Sequence, residues 1–170
     1  MESRAKILGH PIHQMLIVFP LGLLGMGAIF DIIYLATGSA RIADAAFWML
    51  SAGIISGLVA APFGLVDWLA IPSGTRAKMI GALHGGGNVV ALLVFAASWW
   101  LRSDIPQAPA TVAIAVNLVA FVMALGTGWL GGELVDRLAV GVDPGAHLDS
   151  PNSLSGRPAG EDATPTSRAA

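Results

Sequence analysis

Four apolar stretches dominate the chain, each about twenty residues long and separated by short polar segments. They cover about residues 15–35, 47–71, 80–101 and 111–134. A helix that rises ~1.5 Å per residue needs roughly 20 residues to cross the hydrocarbon of a membrane. Backbone polar groups find no water in that layer, so a continuous apolar run must satisfy its own hydrogen bonds as a helix. The pattern therefore predicts four transmembrane helices.

The connections between these stretches are too short to hold a further domain. They cover about residues 36–46, 72–79 and 102–110. Short connections make consecutive helices antiparallel neighbours. The predicted fold class is an all-α membrane protein, an antiparallel four-helix transmembrane bundle with short loops, occupying residues 1–142.

The last part of the chain has a different composition from the four spans. Residues 143–170 combine Gly, Ser, Asp and Ala with four prolines and lack apolar periodicity. Such a segment cannot bury enough apolar surface to offset the entropy lost on folding. It is predicted to be a disordered, Pro/Gly-rich cytoplasmic tail.

Composition supports a membrane protein and excludes several functions. Hydrophobic residues make up 55% of the chain and charged residues 12%, with a mean hydropathy of +0.71. The net charge of -2 and the scattered basic residues exclude a nucleic-acid-binding surface. The chain has no cysteine, which excludes disulfides, thiolate metal sites, iron–sulfur clusters and covalently attached haem.

The distribution of Lys and Arg near the span ends predicts the orientation. Five basic residues flank the spans on the side of the N-terminus, and two flank them on the other side, Arg41 and Arg102. Cytoplasmic loops carry the excess of basic residues. Both termini are therefore expected in the cytoplasm.

Several ionisable side chains collect at the predicted cytoplasmic ends of the spans. They come from all four helical segments: His10, His13, Asp67, His84 and Glu133. Ionisable residues inside a span are costly and usually paired or functional. A shared site is one interpretation. In the other, His84 forms an interhelical hydrogen bond, for example to Asp67, and Glu133 pairs with Arg137 four residues later.

Four motifs in this order resemble one uncharacterised family. They are Gly9-His10-Pro11-Ile12-His13 before the first span, Gly64–Trp68 closing the second, His84 opening the third, and Gly128–Leu134 closing the fourth. The chain resembles small four-span prokaryotic inner-membrane proteins grouped as a domain of unknown function, over about residues 7–142. The resemblance implies this fold and the inner membrane, and it implies no established activity. Some similar proteins are joined to Rieske-type iron–sulfur or other redox domains, and this resemblance implies a redox association for the chain.

The histidines suggest one function for the shared site. Imidazoles from two helices can ligate haem iron axially, and histidine with carboxylate suits transition metals. One b-type haem near the cytoplasmic face would use His13 and His84, with His10 as substitute or third ligand, in an electron-transfer role. A metal ion could instead use these histidines with Asp67 and Glu133.

Other functions remain open from the sequence. The chain could be a non-catalytic structural or partner-binding subunit whose polar cluster clasps the helices. Glycine pairs four apart, such as Gly53 and Gly57, would let helices or a homo-oligomer approach closely. A small oligomeric transporter is the third hypothesis. The chain lacks a nucleophile elbow and an HExxH motif, so a hydrolase is not expected.

Overall fold

Four helical segments, each long and apolar enough to cross a membrane, form the molecule. The computed structural model describes residues 1–163, and residues 164–170 of the predicted tail lie outside the described residues. The candidate spans are Ile12–Thr37, Ala40–Ala70, Arg76–Arg102 and Thr111–Arg137. They pack against one another, which confirms the predicted all-α four-helix bundle. A membrane protein of this kind resides in a lipid bilayer, and its lipid-facing side chains are correspondingly apolar and exposed.

The first span consists of two helices separated by a one-residue break. Helix α1 covers Ile12–Leu16 and α2 covers Val18–Thr37, with Ile17 between them. Pro20 has no N–H to donate to the carbonyl of Leu16, which explains why the regular hydrogen-bonding ladder is interrupted here.

The remaining spans extend past the apolar stretches that predicted them at one end or at both. Helix α3 covers Ala40–Ala70, α4 covers Arg76–Arg102 and α5 covers Thr111–Gly132. A π-helical turn over Glu133–Arg137 continues α5. Apolarity marks the part of a helix that lies in hydrocarbon, whereas its backbone hydrogen bonds continue into the polar interface. The first loop therefore shrinks to two residues, Gly38 in the left-handed conformation and Ser39.

The helices associate as two closely packed pairs. Helix α2 packs along α3 and α4 along α5, and contacts between α3 and α4 join the pairs. Leu24, Phe95 and Ala120 form the buried apolar core between them. Each residue comes from a different span, so the middle of the bundle is filled with apolar side chains.

Only part of the glycine pattern lies at helix contacts. A Cβ added at Gly53 would come within 2.7 Å of Leu24, and one at Gly57 within 2.9 Å of Leu92. These two glycines therefore admit neighbouring side chains, as predicted. By contrast, an added Cβ at Gly85, Gly128 or Gly132 would meet no atom within 4 Å.

A small hairpin precedes the first helix. Strand β1, Lys6–Ile7, pairs antiparallel with strand β2, His10–Pro11. The two turn residues, Leu8 and Gly9, have positive φ angles of 51° and 83°. Such a turn matches the natural twist of the two strands.

Beyond the bundle, the described part of the tail contains turns and a 3₁₀-helix at Ser153–Ser155. An added Cβ at Gly9 would come within 2.8 Å of the Ser153 side chain. The boundary at residue 142 and the disorder of residues 143–170 stay predictions.

Candidate functional site

One polar layer of the bundle is built around His84 of α4. The Nδ1 of His84 lies 2.8 Å from the carbonyl oxygen of Thr127 on α5, so Nδ1–H donates to it. The Asn88 side-chain nitrogen lies 3.3 Å from Nε2 and 3.5 Å from Nδ1 of the same ring, so it packs against the ring. The Thr127 hydroxyl lies 2.7 Å from Asn88 Oδ1 and donates to it, which directs the Asn88 amide nitrogen toward the imidazole. A hydrogen-bonded network thus joins α4 and α5.

His13 of α1 completes this layer from the other side of the bundle. Its Nδ1 lies 3.0 Å from the carbonyl oxygen of Ala60 on α3. Pro62 follows two residues later, and α3 continues past it to Ala70. The imidazole rings of His13 and His84 meet edge to face, with centroids 6.5 Å apart. We call His13, His84, Asn88 and Thr127 the histidine layer.

Two glycines leave room for the imidazole rings. A Cβ added at Gly64 would lie 2.8 Å from His13 Cε1, and one at Gly131 would lie 3.0 Å from His84 Cε1. Both glycines belong to the motifs that carried the family resemblance. Their structural role is to let α3 and α5 pass close to the histidines.

Asp67 binds the N-terminal segment instead of His84. Its two carboxylate oxygens accept hydrogen bonds from the Ser3 hydroxyl at 2.8 and 2.7 Å. The backbone N–H groups of Arg4 and Ala5 donate to Oδ1 at 2.7 and 3.2 Å. The Ala5 carbonyl in turn accepts from the N–H of Ile12, at the start of α1. Asp67 therefore fixes the segment that leads into the first helix.

Ion pairs tie the same end of the bundle together. Glu133 pairs with Arg76 at 2.6 Å, joining the end of α5 to the start of α4, in place of the suggested pair with Arg137. Lys6 binds Asp143 and Glu2. Hydrogen bonds from Lys6 to Asp143, and then to Glu2, raise the pKa of Lys6 above its usual 10.5.

His10 lies apart from the hydrogen bonds of the histidine layer. It is exposed in strand β2, and its Nε2 lies 3.3 Å from the Ser153 hydroxyl oxygen.

A groove of about 530 Å³ lies on the surface where α3 ends and α4 begins. There the Lys78 ammonium lies 4.0 Å above the Trp68 ring and donates to the Trp68 carbonyl. This pairing is typical of residues at a membrane–water interface.

A second polar layer lies at the opposite end of the bundle. Arg102 and Asp31 form a bidentate ion pair, with both nitrogen–oxygen distances 2.8 Å and both side chains fully buried. Asn117 donates to Asp31 Oδ2 at 2.7 Å. Ser98 accepts from Arg102 at 3.0 Å and donates to the Ala113 carbonyl at 2.7 Å. We call Asp31, Ser98, Arg102 and Asn117 the ion-pair layer.

The sequence pattern places Arg102 in the loop after the third span, and it gives Asp31 no part in the predicted site. The structure instead joins them across 71 residues of sequence. One signal was present: Ser98 and Arg102 are four residues apart, so they share a helix face at the depth of Asp31. Helix rotation, which decides whether Arg102 turns inward or toward solvent, was not evident from the sequence.

Apolar side chains separate the two polar layers. His84 and Arg102 lie 18 residues apart on α4, about 27 Å at the rise of an α-helix. Leu24, Phe95 and Ala120 are buried between them, with exposures of 6%, 1% and 0%. The bundle interior is therefore polar near both ends and apolar in the middle.

The predicted ligands do not assemble into one site. Within residues 1–163, no group of three or more His, Cys, Asp or Glu side chains is arranged to hold a metal ion. The geometry brings His13 and His84 together, while Asp67, Glu133 and His10 contact other groups. Of the predicted ligands, His13 and His84 are the two that could share one haem or metal ion, with the Asn88 amide nitrogen packed against the His84 ring.

These features define a four-span integral membrane protein whose helices are joined by a partly buried polar layer at one end and a fully buried one at the other. The chain belongs to the family described as "Predicted membrane protein (DUF2231)", whose model matches residues 9–144. No curated protein and no solved structure matches the chain.

Proposed function

We propose that the protein is a non-catalytic structural or partner-binding subunit of the inner membrane. Its polar layers would act as clasps that set the register of the helices, and its termini would face the cytoplasm. The observation that carries the proposal is the hydrogen-bonded network of His84, Asn88 and Thr127. His84 Nδ1 and the Thr127 hydroxyl each have a partner on the neighbouring helix, and the Asn88 amide nitrogen packs against the His84 ring. Satisfied polar networks inside a protein specify one packing arrangement.

The proposal is tested by comparing stability with cofactor content. His84→Ala would leave the Thr127 carbonyl and the Asn88 amide without their partner, which costs about 1–3 kcal/mol. We expect a lower melting temperature in detergent, and the same negligible metal and haem content as the wild-type protein. His147→Ala, in the tail, is the matched histidine control and should change neither. Stoichiometric metal or a Soret band that is lost with His84 would refute the clasp.

A bound transition metal, or one b-type haem in an electron-transfer role, is the second candidate. Its support is that both histidines direct Nδ1 to a backbone carbonyl and their centroids lie 6.5 Å apart. Carbonyl partners of this kind fix the orientation of ligating imidazoles. His13 and His84 would hold the group once Asn88 turned away, and the metal would supply Lewis-acid or one-electron chemistry.

Asn88→Ala separates the two candidates. It removes the amide nitrogen that packs against the His84 ring, 3.3 Å from Nε2 and 3.5 Å from Nδ1, while both imidazoles remain. Under the metal or haem candidate, binding of added Zn²⁺ or haemin should strengthen in Asn88→Ala and disappear in Asn88→Ala/His84→Ala. Under the clasp, Asn88→Ala should only destabilise the bundle, with no gain in binding.

A further inference from the structure

Two atoms of the ion-pair layer are enclosed without a hydrogen-bond partner in the protein. They are Arg102 Nε, a donor, and Asn117 Oδ1, an acceptor. Arg102 is 1% exposed and Asn117 is fully buried. Leaving a buried donor or acceptor unpaired is unfavourable, and more so where the dielectric constant is low. Such groups in folded proteins are normally satisfied by ordered water.

The other polar groups of the layer cannot serve these two atoms. The hydrogen bonds to Asp31 use the terminal nitrogens of Arg102 and the amide nitrogen of Asn117, and neither Arg102 Nε nor Asn117 Oδ1 has a hydrogen-bond partner. The Ser98 hydroxyl donates its single proton to the Ala113 carbonyl and accepts from the terminal nitrogen of Arg102. A separate molecule is therefore needed to complete the hydrogen bonds.

Charge and size restrict what that molecule can be. A cation would meet the Arg102 guanidinium, and an anion would meet the Asp31 carboxylate, each without solvent to screen the repulsion. Both side chains of the pair are fully buried, so the space between the helices is small. The molecule must be neutral, accept one hydrogen bond and donate another. Water has these properties.

Arg102 and Asn117 lie beside one another in the layer. They donate to the same oxygen, Asp31 Oδ2, at 2.8 and 2.7 Å. The same terminal nitrogen of Arg102 also lies 3.3 Å from the carbonyl oxygen of Ala113, one helical turn before Asn117 on α5. We propose that the ion-pair layer binds one ordered water molecule, which accepts from Arg102 Nε and donates to Asn117 Oδ1.

This hydration site goes beyond the clasp function. It makes the ion-pair layer a small polar chamber within the bundle. The water extends the solvation of the guanidinium on the side away from Asp31, which helps a charged pair to persist between apolar helices. It also gives the Arg102 Nε proton a buried water with which to exchange.

The test is a nuclear magnetic resonance measurement on the full chain labelled with ¹⁵N-arginine in detergent micelles. The Arg102 Nε–H signal, assigned by its absence in Arg102→Lys, should show a rotating-frame Overhauser effect to water with the sign of a bound molecule. Ser98→Ala is the control, because it removes a neighbour of Arg102 that contacts neither unpartnered atom. The effect should persist in Ser98→Ala and be lost in Asn117→Leu.

Two results would overturn the proposal. A protected Arg102 Nε–H signal without any contact to water in the wild-type protein would show that the layer is dry. A water contact that survives in folded Asn117→Leu would show that Asn117 does not bind the molecule. If Asn117→Leu does not fold, the wild-type spectrum alone decides whether the water is present.

Discussion

At the scale of single residues, the ionisable side chains divide into two groups with different partners. The histidines bond to backbone carbonyls and an amide, whereas the buried Asp31 and Arg102 bond chiefly to each other. The sequence identified His13, His84 and Asp67 as candidates for a shared site from their place at the predicted cytoplasmic ends of the helical segments. It could not assign their partners, because a hydrogen bond depends on helix rotation that span boundaries leave undetermined.

The buried ion pair gives the strongest single-residue prediction. Asp31→Asn preserves the shape of the side chain but removes the charge that neutralises Arg102. Removing one partner of a buried pair typically costs about 3–5 kcal/mol. We expect a large fall in the melting temperature of the variant in detergent.

Glu161→Gln provides the matched control for that substitution. It removes one carboxylate from the solvent-exposed pair with Arg157, where the expected change is about 0–1 kcal/mol. Equal melting temperatures for Asp31→Asn and Glu161→Gln would contradict the assigned importance of the buried pair.

The glycines beside the histidines give a second prediction. Gly64→Ala and Gly131→Ala place a methyl group 2.8 and 3.0 Å from the Cε1 atoms of His13 and His84. The rings must shift from their carbonyl partners, so destabilisation of about 1–3 kcal/mol is expected. Gly128→Ala has open space around the added methyl group and should be neutral or slightly stabilising. Thermal melting of the three variants should separate Gly128→Ala from the others, and three equal midpoints would argue against close histidine packing.

At the scale of the elements, apolar periodicity predicted the four spans because each must cover the hydrocarbon thickness. The same signal could not reveal the hairpin at Lys6–Pro11 or the docking of the preceding residues. These features depend on a few specific hydrogen bonds to Asp67. Such contacts between distant parts of the chain leave no periodic pattern in the sequence.

The N-terminal segment should be released when Asp67 is changed. Asp67→Asn removes the negative charge and one of the two accepting oxygens, so the hydrogen bonds from Ser3, Arg4 and Ala5 go to a single neutral oxygen and weaken. Trypsin should then cleave after Arg4 and Lys6 faster than in the wild-type protein. Asp136→Asn, an exposed carboxylate on the π-helical turn, is the control and should leave the cleavage rate unchanged. An unchanged rate in Asp67→Asn would show that this carboxylate does not hold the segment.

At the scale of the whole molecule, the arrangement of charges leads to a prediction about orientation. With four spans, both ends of the chain lie on one side of the membrane. Basic residues near the span ends are enriched on that side, which is expected to be the cytoplasm. Reporter fusions at either end should both be active only in the cytoplasm. If the reporter at one end were active in the cytoplasm and the reporter at the other end were active outside it, the even number of spans would be contradicted.

The clasp itself is tested most directly by the positions of protons on the histidine rings. In ¹⁵N-histidine-labelled protein, His13 and His84 should both carry a proton on Nδ1, because each Nδ1 faces a carbonyl oxygen. The Nε2 of His84 should be unprotonated, and the ring nitrogen signals should shift in Asn88→Ala, since the Asn88 amide nitrogen lies 3.3 and 3.5 Å from the two ring nitrogens. His147→Ala removes the tail signal and leaves the other two unchanged. A proton on His84 Nε2, or an Nε2 signal displaced by bound metal or haem, would contradict the clasp.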